Sequence, residues 1–208
     1  MALLMLTMAM PAMADQVTVN TQGVSLVLDV ENGQPAKYLY FGARLDERDK
    51  ANLSVTANGR MDVYPAYGLN TPAESALALR HADGNMSTAL VATGYDSRQE
   101  ANATVTVIHL KDAVYPVKVD LCYRAYKDVD LIEAWSEITN EEKGTVTLTT
   151  FASAMLPIRR GNVWMSHLSG TWASEGYVNN ELLTPGEFVI RNADGTRNSH
   201  TDHAEVMF

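Results

Sequence analysis

The sequence predicts an all-β protein: a large antiparallel β-sandwich of the supersandwich type, with little helix beyond its first residues. Three observations predict it. Apolar residues recur with period two in segment after segment. Turn-forming pairs such as Asn32-Gly33, Asp83-Gly84, Pro185-Gly186 and Asp194-Gly195 separate those segments at short intervals. Helical periodicity is weak everywhere after residue 14.

The first stretch, MALLMLTMAMPAMADQ, is apolar from Ala2 to Met13 and then abruptly polar. A run of about 12 residues has the size of a signal-peptide core and is too short to span a bilayer. Ala12-Met13-Ala14 fits a small-x-small cleavage site. Residues 1–14 therefore read as a signal-peptide remnant whose positive region lies upstream of Met1, and Asp15 as the mature start. Export to the periplasm or the medium is the expectation; a buried N-terminal helix is the alternative.

Residues 15–208 read as one sandwich domain. VSLVLDV sets Val24, Leu26, Leu28 and Val30 on one face. The segment from Arg44 to about Thr71 is less regular and predicts long loops with a short strand near Met61. Asp83-Gly84, between LALRHA and MSTALV, predicts a hairpin. ATVTVIHL places Ala103, Val105, Val107 and His109 together. PVKVDLCYRAY sets Val117, Val119, Leu121 and Tyr123 against Lys118, Asp120, Cys122 and Arg124. DLIEAWSEIT is apolar on both faces and predicts an inner strand covered on both sides. TVTLTTFASA alternates Val146, Leu148 and Thr150 with Thr147, Thr149 and Phe151, the pattern of a half-buried strand.

Composition excludes some functions. Among 208 residues, 16 basic side chains stand against 25 acidic ones, for a net charge of −9, and no basic cluster occurs. That argues against nucleic acid or an anionic membrane surface as a partner. The single cysteine, Cys122, cannot form an internal disulfide. Ser199-His200-Thr201-Asp202-His203 carries two imidazoles and a carboxylate. Residues three apart on a strand point to opposite faces, so metal binding is not expected there. CxxC and HExxH patterns are absent, as are a G-x-S-x-G elbow and the phosphate-cradling glycine motifs. No metal and no cofactor are expected.

SGTWASEGYVN is the most site-like segment, with Trp172, Glu175, Tyr177 and Asn179. Aromatic faces stack on sugar rings, and carboxylates and amides bond their hydroxyls. A strand with a tryptophan on its core face is the alternative.

The order of segments adds to this reading. YPAYG (Tyr64 to Gly68) comes first, then HADGN (His81 to Asn85), then the long run from Val117 to Ile158 with Asn140 and Ser153-Ala154. GTWASE (Gly170 to Glu175) and GTRNSH (Gly195 to His200) follow. This series resembles the N-terminal β-sandwich of family 36 glycoside hydrolases, the bacterial α-galactosidases, over about residues 17–208. It departs after Tyr67-Gly68, where Leu69-Asn70-Thr71-Pro72 replaces the Gly-Asp-Phe-Arg often found in the family.

The resemblance implies a retaining glycosidase whose two catalytic aspartates lie on a (β/α)8 barrel that follows the sandwich. No catalytic residue is then expected in this chain. Tyr67, Trp172, Glu175 and His200 are the expected carbohydrate-adjacent residues. The implied partners are the C-terminal barrel, α-galactoside oligosaccharides in the complete enzyme, and further copies in a homo-oligomer. On this reading Val206, Met207 and Phe208 border an exposed apolar patch. A free-standing, exported carbohydrate-binding module is the alternative function.

Overall fold

Alternating burial along antiparallel strands builds most of this protein. The computed structural model describes residues 15–53, 61–68, 74–157, 162–171, 173–191 and 202–208. The proposed signal peptide, residues 1–14, lies outside them. The chain divides into two compact units, residues 1–157 and 158–208. Among the described residues no helix is long and apolar enough to cross a membrane.

In the first unit, β1 (Asp15–Asn20), β2 (Val24–Val30) and β3 (Lys37–Ala43) form one antiparallel sheet in that order. β4 (Leu77–Arg80) pairs with β9 (Thr147–Phe151). β5 (Leu90–Gln99), β6 (Ala103–Asp112), β7 (Val117–Tyr126) and β8 (Ile132–Asn140) form a four-stranded sheet in sequence order.

The core lies between the first and third of these sheets. Leu26, Leu28 and Val30 of β2 pack in one cluster with Ile108 and Leu110 of β6 and with Val117, Val119, Leu121 and Tyr123 of β7. Leu77 and Leu79 of β4 join it. Leu28, Leu77 and Ile108 are fully buried, each side chain contributing about 1.5–3 kcal/mol of transfer free energy. The inward sets of β2 and β7 are those their alternation predicts. Alternation breaks at Val27, also fully buried, where Leu39 enters β3 as an extra residue and shifts the register.

Five sequence expectations differ from the structure. The Asp83-Gly84 turn forms, with His81 N–H donating to Asn85 O at 2.8 Å and Gly84 at φ +92°. It joins no hairpin, however: β4 belongs with β9 and β5 with β6, so the turn is an arch between sheets. A turn signal fixes local backbone, and the partner of each strand is decided by which face must be buried. β8 is not an inner strand. It ends its sheet, pairs with β7 alone and is only half-buried. β9 is exposed along its length, so its alternation does not produce a buried face.

The irregular segment after Arg44 also holds a helix, α1 (Glu47–Ala51), which periodicity could not reveal in five residues. Asp46 caps it, accepting from the Asp49 N–H at 2.8 Å. The expected short strand near Met61 is a single bridge, Lys37 opposite Asp62.

In the second unit β10 (Trp164–Thr171) lies between β11 (Ser174–Leu182) and β12 (Asp202–Met207). Thr171 faces Ser174 where β10 and β11 meet. Between Ser169 and Thr171 one residue opposes two, Glu175 and Gly176, and Gly176 sits at φ +77°. This is a bulge of the glycine type, which increases the local twist. Ala173 holds φ +61°, the left-handed region, which costs a residue with a Cβ about 1–2 kcal/mol. Glycine removes that cost but adds backbone entropy to the unfolded chain. Ala173→Gly is expected to stabilise the protein by about 0.5–1 kcal/mol. The check is the midpoint of urea unfolding, which should rise at unchanged slope.

Candidate functional site

Three segments far apart in sequence meet at one end of the first unit: Tyr64–Gly68, His81–Thr88 and Asn140–Gly144. Tyr67 N–H donates to Leu77 O at 2.8 Å, and Thr88 N–H donates to Tyr67 O at 2.9 Å. Gly68 sits at φ +96°, and a Cβ there would fall 2.6 Å from the Ser87 Cα, so glycine is required twice over. A Cβ on Gly144 would meet the Ala82 Cβ at 2.6 Å.

At the centre is His81, 1% exposed. Its Nδ1 lies 2.7 Å from Glu142 Oε1, and its Nε2 lies 3.1 Å from Ser87 O and 3.2 Å from Thr88 Oγ1. The Ser87 carbonyl can only accept, so Nε2 is the donor there. Glu142 spends its other oxygen on the Ala82 N–H at 3.0 Å. Burial opposes ionisation of Glu142, yet the Ala82 amide and His81 together hold its carboxyl below the ordinary value.

Tyr115 stacks on the His81 ring, with centroids 3.5 Å apart. Its hydroxyl donates to Asp83 Oδ2 and accepts from Asn85 Nδ2, both at 2.9 Å. The Asn85 backbone amide and then the Tyr115 hydroxyl keep Asp83 below the usual carboxylate range.

These polar groups satisfy one another. The carboxylates are committed to backbone amides, to a tyrosine and to His81, so the arrangement holds loops in place. What it presents to solvent is Tyr67, 49% exposed, on a rigid base.

The other sequence-stretch candidates fall elsewhere. Trp172 and His200 lie outside the described residues, as does the side chain of Glu175. Tyr177, in β11 of the second unit, is exposed, and its hydroxyl lies 2.8 Å from Ser174 Oγ. Asn179 donates to Ser169 Oγ at 2.7 Å. His167 is buried beside Phe188, and its Nδ1 has no partner among the described residues. Tyr67 belongs to the first unit, so the expected carbohydrate-adjacent residues span both units.

Sequence reasoning missed a second cluster, on the outer face of the four-stranded sheet. His109 Nδ1 lies 2.7 Å from Asp120 Oδ1 and Nε2 lies 3.0 Å from Asp96 Oδ2. The Asp120 hydrogen bond raises the imidazole's pKa most; partial burial opposes the rise, and Asp96 adds to it. Beside it Val105, Val107 and Cys122 form a small apolar patch under Trp135, with the Arg124 guanidinium 5.1 Å from the indole ring. Burial, with Glu137 and Asp120 nearby, pushes the Cys122 thiol up to about 11. The register His109↔Asp120 is a cross-strand pairing, which spacing along a single strand cannot show.

A two-unit, all-β domain with a loop apex anchored by a buried histidine and with exposed aromatics is the class of protein these features define. The chain belongs to the glycosyl hydrolase family 36 N-terminal domain family, whose model matches residues 34–208. It is 26% identical over 147 residues to α-galactosidase 2 of Pediococcus pentosaceus, covering 64% of this chain and 20% of that one. It is 31% identical over 78 residues to the probable α-galactosidase C of Aspergillus terreus, covering 38% of this chain and 10% of that one. Among solved structures, the family 36 α-galactosidase AgaA of Geobacillus stearothermophilus superposes with a TM-score of 0.78 at 18% identity, over 92% of this chain and 31% of that one. The α-galactosidase of Lactobacillus brevis gives a TM-score of 0.69 at 20% identity, over 83% and 28%. These structures share the fold, and the chain spans less than a third of the length of each.

Two outcomes test the site. His81→Leu leaves Thr88 and Glu142 without their buried partner and is expected to cost about 1–3 kcal/mol, read from urea unfolding. His109 has a folded pKa above its unfolded value near 6.5, so its stabilisation is complete below that value and is lost as pH rises through the folded pKa. The stability deficit of His109→Gln against the parent should therefore be largest between about pH 5 and 6.5 and should shrink at higher pH. Unfolding midpoints across that range provide the measurement; a deficit independent of pH contradicts the assignment.

Proposed function

We propose that this chain is the non-catalytic N-terminal domain of an exported α-galactosidase-like glycoside hydrolase, which in complete form hydrolyses terminal α-galactosides with retention. The observation that carries this reading is the match of residues 34–208 to a domain family whose α-galactosidase relatives are more than three times as long as this chain. Related structures hold raffinose and stachyose, the substrate class expected for the complete enzyme. Export rests on the apolar run and Ala12-Met13-Ala14.

An exposed apolar face supports a docking role. On the β10–β11–β12 sheet, Trp164 lies opposite Leu182, Leu168 opposite Val178, and Ser166 opposite both Asn180 and Met207. Alternation puts Trp164, Leu168, Val178, Leu182 and Met207 on one side. Trp164, Val178 and Met207 are each close to 60% exposed. A contiguous surface of this kind marks a contact that excludes water in the working assembly. The catalytic barrel is its proposed occupant, and Tyr67, fixed by the His81 apex, is proposed to shape the substrate entrance.

Two measurements on the 208-residue chain separate this reading from a free-standing sugar-binding module. An aryl α-galactoside should remain uncleaved, and tryptophan fluorescence should not respond to galactose or raffinose. Turnover retained through purification would overturn the non-catalytic role. Saturable quenching that disappears in Trp172→Ala would favour the module.

A further inference from the structure

A groove of about 310 Å³ opens on the first unit, between the β1–β3 sheet and the β7–β8 edge of the four-stranded sheet. Residues 154–156 close one side. Its floor carries Tyr38 and Tyr123, and its rim carries Phe41, Leu131 and Leu156, each about half exposed. The volume lies at the lower end of the range for small-molecule sites.

The groove is apolar in effect, because the hydroxyls on its floor are already paired. Tyr38 Oη donates to Met155 O at 2.5 Å, and the Tyr123 hydroxyl bonds that of Tyr38. The floor therefore offers a saccharide no free hydroxyl donor. One charged group stands at the mouth: Asp130. Its Oδ1 accepts from the Gly23 N–H at 2.6 Å and from Thr21 Oγ1 at 2.8 Å, and these two donors keep the carboxyl ionised below its ordinary range. Its Oδ2 accepts from no described group, and Asp130 pairs with no cation among the described residues. Arg44 donates to Thr21 O and Lys127 to Glu100 O. An ionised carboxylate with a free oxygen, beside an unfilled apolar slot, complements a ligand with a cationic head and an apolar body.

We propose that this groove binds a small amphiphilic amine, its aromatic or branched apolar body lying between Tyr38, Phe41, Leu131 and Leu156 and its ammonium group on Asp130 Oδ2. The proposal is independent of the catalytic role of the complete enzyme.

The test titrates the isotope-labelled 208-residue chain with phenethylamine, 2-phenylethanol and 3-phenylpropanoate, following amide chemical shifts. Saturable shifts are expected at Leu131, Ile132, Ala134 and Leu156. The amine should bind about two- to fivefold more tightly than the alcohol, the scale of an exposed ion pair, and the carboxylate more weakly than either. Asp130→Asn keeps the Oδ1 acceptor that Gly23 and Thr21 use, so the fold should persist while the amine loses its advantage over the alcohol. Ala154→Trp should fill the slot and abolish binding of both. Absence of saturable shifts with every probe overturns the proposal. So does an amine preference that survives in Asp130→Asn, or shifts centred away from the groove.

Discussion

The constraint on which this structure depends is the burial of two facing sets of alternating side chains. Leu26, Leu28 and Val30 from one sheet and Ile108, Leu110, Val119 and Leu121 from the other must lose their contact with water together. Neither sheet has another way to cover those faces. That requirement fixes the register of β2 and β7, because a slip of one residue would turn every inward side chain outward. It also sends the chain across from β4 to β5 at the His81 turn instead of letting those strands pair.

The crossing creates a second demand. Where the chain passes between sheets its backbone amides and carbonyls leave the strand ladders and take side-chain partners instead. His81, Glu142, Asp83 and Asp112 supply them. Asp112 alone accepts from the amides of Ala89, Val114 and Tyr115. The polar residues of the apex are thus the counterpart of the apolar core: the core needs the crossing, and the crossing needs the polar groups. Loops anchored this way can hold an aromatic ring such as Tyr67 in the solvent without yielding.

How far the sequence revealed this follows from which interactions are local. Period two is local, so the inward faces of β2 and β7 could be read directly; in β6 the alternation misled, because Val105, Val107 and His109 lie on the outer side while Ile108 and Leu110 fill the main core. The first two segments of the resemblance series, YPAYG and HADGN, were visible as strings, and their meeting through Thr88 and Tyr67 was not, since contact between them depends on the path of the chain. β8 misled because Trp135 and Ile132 suggested two covered faces. In the structure Trp135 lies over a small patch with Cys122 on the outer side, while Ile132 packs against the main core. α1 escaped detection because one turn of helix has no period to measure, although Asp46 and Asp49 supplied the capping signal. The His109 clamp needed Asp96 and Asp120 from two different strands, and only the sheet brings them to one ring.

Cys122 carries a practical consequence. The thiol is 3% exposed and lies within the layer formed by β6, β7 and β8. With its ionisation suppressed, it is a poor nucleophile while that layer stays closed. Alkylating reagents therefore reach it only when neighbouring strands part, and its rate of labelling times the opening of the four-stranded sheet separately from events in residues 158–208. Nature placed one sulfhydryl in this chain, and its position makes it a built-in reporter of how often that sheet breathes.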